Sequence, residues 1–255
     1  MERTTEVEFL KIYRVFKGRK EYLISLLLLV AAWEGASYIF PSYAVPSWRL
    51  ITETLLTLDM THAYVTLARV MLSLTAAFVI GFIIAVAMYL SSSLERYLMP
   101  IVNLIMAVPA ICWVLFAILW FREPEFRIFF VLVAVCGPGF LIDIIDGMKG
   151  IPYSLREMLI AFRPTKGQLI RKLILPAIVP SIITTWKINL GLAVRVVTVA
   201  ELVGTVSGIG YALNFALGNL SLAEIFAWTL VLVAILLSLQ GLVYGIESKL
   251  LRWRR

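Results

Sequence analysis

Six ionisable side chains within or at the edges of long apolar runs are candidates for chemistry: Arg69, Asp143, Asp146, Lys187, Arg195 and Glu201. A charge at bilayer depth is costly, so each needs a counter-charge or a wet path. Asp143 and Asp146, spaced i,i+3, share one helical face and have the form of a proton or cation relay. The alternative is a solvated inner-mouth face, balanced by Lys149 or Lys172. Arg195 carries a guanidinium fork suited to an anionic solute in transit. It can equally be a structural counter-charge for Glu201 or for a partner on another span, and we take the counter-charge as the expectation. Six residues separate Arg195 from Glu201, so they do not share a face of one straight helix. Lys187, near a span end, is expected to snorkel to the interface. No nucleophile or metal-ligand set converges: His62 is the single histidine, and Cys112 and Cys136 sit in apolar runs as buried thiols. No metal and no cofactor are therefore expected. The chain has no G-x4-G-K-[ST] string, hence no P-loop of its own.

The elements that position these residues are membrane spans. Hydrophobic residues make up 61% of the 255-residue chain and charged ones 15%, which excludes an ordinary soluble domain. Apolar stretches near the length needed to cross a bilayer fall at 22–40, 64–90, 98–121, 127–148, 177–203 and 225–247. The expected fold class is thus all-α integral membrane, with about six transmembrane helices in a single domain over 22–255. Pro109 interrupts the third span, and Gly137-Pro138-Gly139 is expected to break the fourth. Residues 1–21 are basic, and Phe9, Ile12, Tyr13 and Phe16 repeat at helical spacing. That segment is either a helix lying on the inner leaflet or a solvated tail. The run at 22–40 reads as an uncleaved first span rather than a signal peptide. Ser47 is a candidate N-cap for a short helix with Leu50, Ile51, Leu55 and Leu58 on its apolar side. The net charge of +7 follows the positive-inside rule rather than pointing to nucleic acid. With both termini and residues 149–172 on one side, that side holds 17 of the 23 Lys and Arg; the other holds three, and three lie in spans.

One polar island, residues 157–176, stands between the fourth and fifth spans. It opens at Glu157, is broken at Arg163-Pro164, carries Lys166, Gly167, Arg171 and Lys172, and stops at Leu175-Pro176. Leu155, Met158, Leu159 and Phe162 recur at helical spacing ahead of Pro164, and a second short helix is expected at 165–175. Two short charged helices between spans make a docking surface for a soluble partner.

This stretch resembles the cytoplasmic EAA loop of permease subunits of binding-protein-dependent ABC importers, whose pattern is E-A-A-x3-G-x9-I-x-L-P. Glu157, Leu175 and Pro176 match in register. Met158 and Leu159 replace the alanines, Arg163 replaces the glycine, and Leu173 takes the isoleucine place; an Arg-Pro pair can still make the turn. Ala44-Val45-Pro46-Ser47, Ala117-Ile118-Leu119-Trp120-Phe121, Ala200-Glu201 and Ser207-Gly208-Ile209-Gly210-Tyr211 are similar to strings of the sulfonate/nitrate/taurine branch. The resemblance implies a MetI-like permease fold with an ATPase-coupling loop at 150–176. It also implies a second permease copy as homodimer partner, two ABC ATPase subunits, an external solute-binding protein, and a plasma (inner) membrane location with both termini cytoplasmic. The solute would be small and anionic or polar, such as a sulfonate, taurine, nitrate or a thiamine precursor, and ATP hydrolysis would belong to another chain. Glu201, matching the family's Ala-Glu, would fix the outer end of its span by hydrogen bonding. Arg69 falls where relatives often carry a basic residue. Gly204, Gly208 and Gly210 are backbone turns or a binding-protein contact. The rival reading is an autonomous proton-coupled carrier using Asp143, Asp146 and Glu201.

Overall fold

The computed structural model describes residues 2–152, 154, 157, 165–169, 171 and 174–250, with backbone alone at 2–19, 22, 166 and 169. All regular structure among them is helical. The chain divides into two units, Met1–Leu58 with Ala216–Ala227 and Asp59–Phe215 with Trp228–Arg255.

In the first unit, helix α1 (Glu2–Ile39) precedes α2 (Trp48–Thr57). Ser47 caps α2 as expected, its hydroxyl accepting from Leu50 N at 3.4 Å. The Glu34 carboxylate adds a second cap, accepting from Trp48 N at 3.0 Å. Trp33 Nε1 donates to the Pro46 carbonyl at 3.0 Å, and Trp33 packs on Phe226 with ring centres 4.7 Å apart. Ile51 is fully buried, whereas Leu50 lies exposed. Helix α1 runs unbroken through residues 21–22, where the sequence places a segment boundary. Its apolar part, Leu23–Ile39, is shorter than the other candidate spans. At 1.5 Å per residue it reaches roughly 26 Å, the lower limit for crossing a bilayer.

In the second unit, α3 (Thr61–Leu90), α4 (Ser92–Ala107), α5 (Ala110–Trp120) and α6 (Pro124–Lys149) follow in order. After α7 (Lys166–Leu169) comes the long α8 (Leu175–Gly204); α9 (Ile209–Gly218) and α10 (Leu222–Leu250) follow, their residues within 216–227 belonging to the first unit. Four of these, α3, α6, α8 and α10, are long and apolar enough to cross a membrane, and a fifth span arises if α4 and α5 count as one. A sixth would rest on Leu23–Ile39.

The two proline expectations come out differently. At Pro109 the third span is no continuous rod: α4 and α5 meet at 96°, with Val108 extended as the residue before proline prefers. At Pro138 the expected break is absent, and α6 continues through Gly137-Pro138-Gly139. Packing holds it there. A Cβ on Gly81 of α3 would come within 3.0 Å of the Gly137 carbonyl, and one on Gly139 within 3.4 Å of Asn189 Oδ1 on α8. The Gly-Pro-Gly string is thus the place where three helices approach closely, and their contacts offset one lost backbone bond. The core lies where α3, α6 and α8 meet, with Leu74, Phe140, Ile144 and Leu190 buried. Phe78, Phe140 and Trp186, one ring from each helix, sit 5.4–5.6 Å apart.

Candidate functional site

A buried charge cluster closes one end of α3, α6 and α8. Thr66 and Arg69 are one turn apart on α3, Glu125 lies in the first turn of α6, and Glu201 lies in the last turn of α8. The Glu201 side chain is 0% exposed. Its Oε1 accepts from Arg69 Nη1 at 2.8 Å, and its Oε2 from Thr66 Oγ1 at 2.8 Å and from Gly210 N at 3.0 Å. Arg69 spends its other donors on the Ser207 carbonyl (2.8 Å), Ser207 Oγ (2.9 Å) and both oxygens of Glu125, its Nε reaching Oε2 at 2.8 Å. A guanidinium fork is suited to this two-sided task, and every donor aimed at Glu201 offsets the desolvation of its charge. Ile209 N donates to Thr66 Oγ1 at 2.8 Å, and Gly208 N donates to His62 Nδ1 at 3.1 Å, so residues 207–210 are folded over the cluster.

Two glycines make that fold-over possible. Gly208 has φ +101°, and a Cβ there would stand 2.2 Å from Glu201 Oε1. A Cβ on Gly210 would stand 2.2 Å from the Thr198 carbonyl. Their turn role, set out above as one of two readings, is the one the geometry displays. Arg127 ties the same end to the backbone, donating to the Phe121 carbonyl (2.7 Å) and the Gly204 carbonyl (3.1 Å).

The expected partnership of Glu201 with Arg195 is therefore replaced by one with Arg69. On one helix, six residues turn Arg195 and Glu201 to different faces, whereas Arg69 reaches Glu201 from α3. Arg195 points to the exposed side of α8 and has no ion pair among the described residues. It borders a shallow cavity of about 390 Å³ with Val194, Thr198, Leu232, Val233 and Leu236. Lys187, expected to snorkel, instead pairs with Glu247 of α10 and lies 3.9 Å above the Tyr244 ring.

The Asp143 and Asp146 carboxylates are at the other end of α6. Asp143 Oδ2 accepts from Thr185 Oγ1 at 2.8 Å, while Asp146 is exposed. Lys149, a candidate to balance them, pairs with Glu95 of α4. Thr185 and Glu201 are sixteen residues apart on α8, about 24 Å along the axis, so the three carboxylates of the carrier reading form no relay.

The segment expected from sequence to couple to an ATPase is described in part. Glu157, Gly167, Arg171, Leu175 and Pro176 are all exposed, whereas Arg163, Pro164 and Lys172 lie outside the described residues. A capping box opens α7: Thr165 N donates to Gln168 Oε1 at 3.0 Å, and Gln168 N to Thr165 Oγ1 at 3.3 Å. The T-x-x-Q pattern after Pro164 could have revealed it. Pro176 does not end a helix but sits in the first turn of α8, where no N–H is required of it.

Comparison with known proteins fixes what this scaffold is. The sequence profile of the family "Binding-protein-dependent transport system inner membrane component" matches residues 77–252. The chain belongs to that family. An aliphatic sulfonates transport permease, SsuC of Bacillus subtilis, is 27% identical over 250 residues, covering 93% of this chain and 90% of that one. A formylaminopyrimidine transport permease, ThiX of Halalkalibacterium halodurans, is 27% identical over 244 residues, covering 92% and 96%. Among solved structures, an inward-facing conformation of the MetNI methionine ABC transporter aligns with TM-score 0.64 at 22% identity, over 74% of this chain and 94% of that one. The MetI-like fold expected from sequence is thus observed, and the chain is a membrane-embedded permease component of a binding-protein-dependent ABC importer. Glu125 was missed by sequence reasoning altogether. The signal available was its place, beside Arg69 and Glu201, at span ends assigned to one side.

Proposed function

We propose that this permease works as a pair of identical copies, with the solute path between them, driven by two ATPase chains that dock on residues 150–176. An external solute-binding protein delivers a small polar solute to the face formed around residues 204–210. Both termini lie in the cytoplasm of a cell bounded by the plasma (inner) membrane. When the ATPases close on ATP, the exposed segment carrying Glu157, Gly167 and Arg171 transmits the motion, and the spans rock as rigid bodies between two states. The observation that carries this reading is the family match at 77–252, which contains the whole coupling segment.

The test is uptake by proteoliposomes holding the chain together with an ATPase subunit and a solute-binding protein of the same transport system. Uptake is expected to require ATP and the binding protein and to survive collapse of the proton gradient. Uptake that needs the gradient and ignores ATP would overturn the proposal.

A further inference from the structure

Three basic residues stand inside the spans, and two of them are neutralised within the chain: Arg69 by Glu201 and Glu125, Lys187 by Glu247. Arg195 is the exception among the described residues. It lies nine residues before the end of α8, roughly 14 Å at 1.5 Å per residue, hence well inside the apolar layer. Ile188 (63% exposed), Arg195 and Val199 (39% exposed) are spaced seven and four apart, so they form one exposed stripe. A guanidinium on a lipid-facing stripe costs several kcal/mol, and such groups face a bundle interior or a water-filled cavity instead.

The surroundings of Arg195 agree. Two other cavities of the second unit, about 290 and 430 Å³, are lined by apolar side chains, among them Ile80, Trp113 and Leu141 in one and Met71, Trp186 and Leu242 in the other. The cavity at Arg195, about 390 Å³, has the guanidinium and Thr198 on its wall. Thr198, which lines the cavity, donates its hydroxyl proton to the Val194 carbonyl at 2.7 Å, so its oxygen remains an acceptor. Around Arg195, Gly191 is one turn away: a Cβ there would lie 3.6 Å from Nη2, so the guanidinium can lie close along the helix.

We propose that Arg195 is the solute-contacting residue of the path and that it selects a small oxyanion, such as a sulfonate, through paired N–H donors. This rests on the permease reading above and adds to it the residue that meets the solute inside the spans. An oxyanion fits the fork bidentately, which an ammonium at the same place would not reproduce. In transit the solute's charge is offset by Arg195, and among the described residues no carboxylate competes for it.

The experiment uses the full chain in its native membranes, with Cys112 and Cys136 replaced by alanine and a reporter thiol at Thr198→Cys or, as a second reporter, Val199→Cys. Methyl methanethiosulfonate measures thiol reactivity. Ethanesulfonate at ten times its half-protecting concentration is expected to slow labelling about tenfold, whereas neutral ethanesulfonamide is not. Arg195→Gln is expected to abolish protection, and Arg195→Lys to weaken it. Reporters that do not react, equal protection by the sulfonamide, or protection that survives Arg195→Gln would each overturn the assignment. ATP with vanadate separates the two readings: an unchanged labelling rate sinks the ATP-driven importer and leaves the anion site standing, while protection failing with an ATP response intact does the reverse.

Discussion

Arg69 holds two carboxylates of very different exposure, Glu201 at 0% and Glu125 at 68%. Losing the arginine leaves Glu201 charged and buried without a counter-ion, a change that costs about 3–5 kcal/mol. Arg69→Ala is therefore expected to depress folded yield sharply in detergent. Arg69→Met combined with Glu201→Gln should recover most of that yield. A double variant no better than the single one would show that the pair does not act as a unit. Arg195→Ala is expected to leave folded yield at the wild-type level, because no buried carboxylate among the described residues pairs with it. Gly210→Ala is expected to destabilise by at least about 1–3 kcal/mol, since overpacking here meets backbone rather than a flexible side chain; thermal unfolding reads it. Arg69 and Glu201 were legible in the sequence, and so was the need of each for a partner, whereas Glu125 was not. The pairing was not, because helical periodicity says which face a residue occupies but not which span lies beside that face. Arg69 and Glu201 are 132 residues apart.

Prolines at two apolar positions have opposite consequences, and the difference lies in what packs beside them. Pro109 stands between α4 and α5, whereas Pro138 sits inside α6 against α3 and α8. Gly81→Val is accordingly expected to cost more than Pro138→Ala. The first pushes a branched side chain into the Gly137 carbonyl; the second restores one N–H to a helix that is already straight through. Relative unfolding temperatures of the two variants decide this, and a larger loss at Pro138 would refute it. For the coupling segment, Glu157→Ala and Arg171→Glu are expected to impair uptake while leaving membrane insertion and yield unchanged, as both side chains are exposed. If either variant transports normally with a fully stimulated ATPase, the docking role falls. The segment's register could be read from Glu157, Leu175 and Pro176. The reciprocal cap at Thr165 and Gln168 was equally available but is a local signal hidden behind the stronger Arg-Pro turn.

At the scale of the whole chain, the counting of Lys and Arg predicts residues 55 and 215 outside the cell and residue 167 inside. Single cysteines at these positions are expected to react with an impermeant thiol reagent on intact cells at 55 and 215 and not at 167; labelling at 167 would overturn the orientation. Four to five spans follow from length and apolarity alone. A further candidate, Leu23–Ile39 at the lower limit, shows why hydropathy alone counts imperfectly: α1 continues as one helix beyond its apolar part. The Arg69 cluster has a further consequence for the order in which the chain is made. Synthesis proceeds at roughly 5–20 residues per second, so Arg69 waits about 7–26 s before Glu201 exists, but only about 3–11 s before Glu125 does. Glu125, carried on the exposed start of α6, is thus the first counter-charge available to a nascent arginine already committed to the membrane. Glu201 then arrives as the permanent one. Ribosome-bound chains stopped after α6 should insert α3 normally and lose that ability with Glu125→Gln, whereas the finished protein should tolerate the same substitution far better.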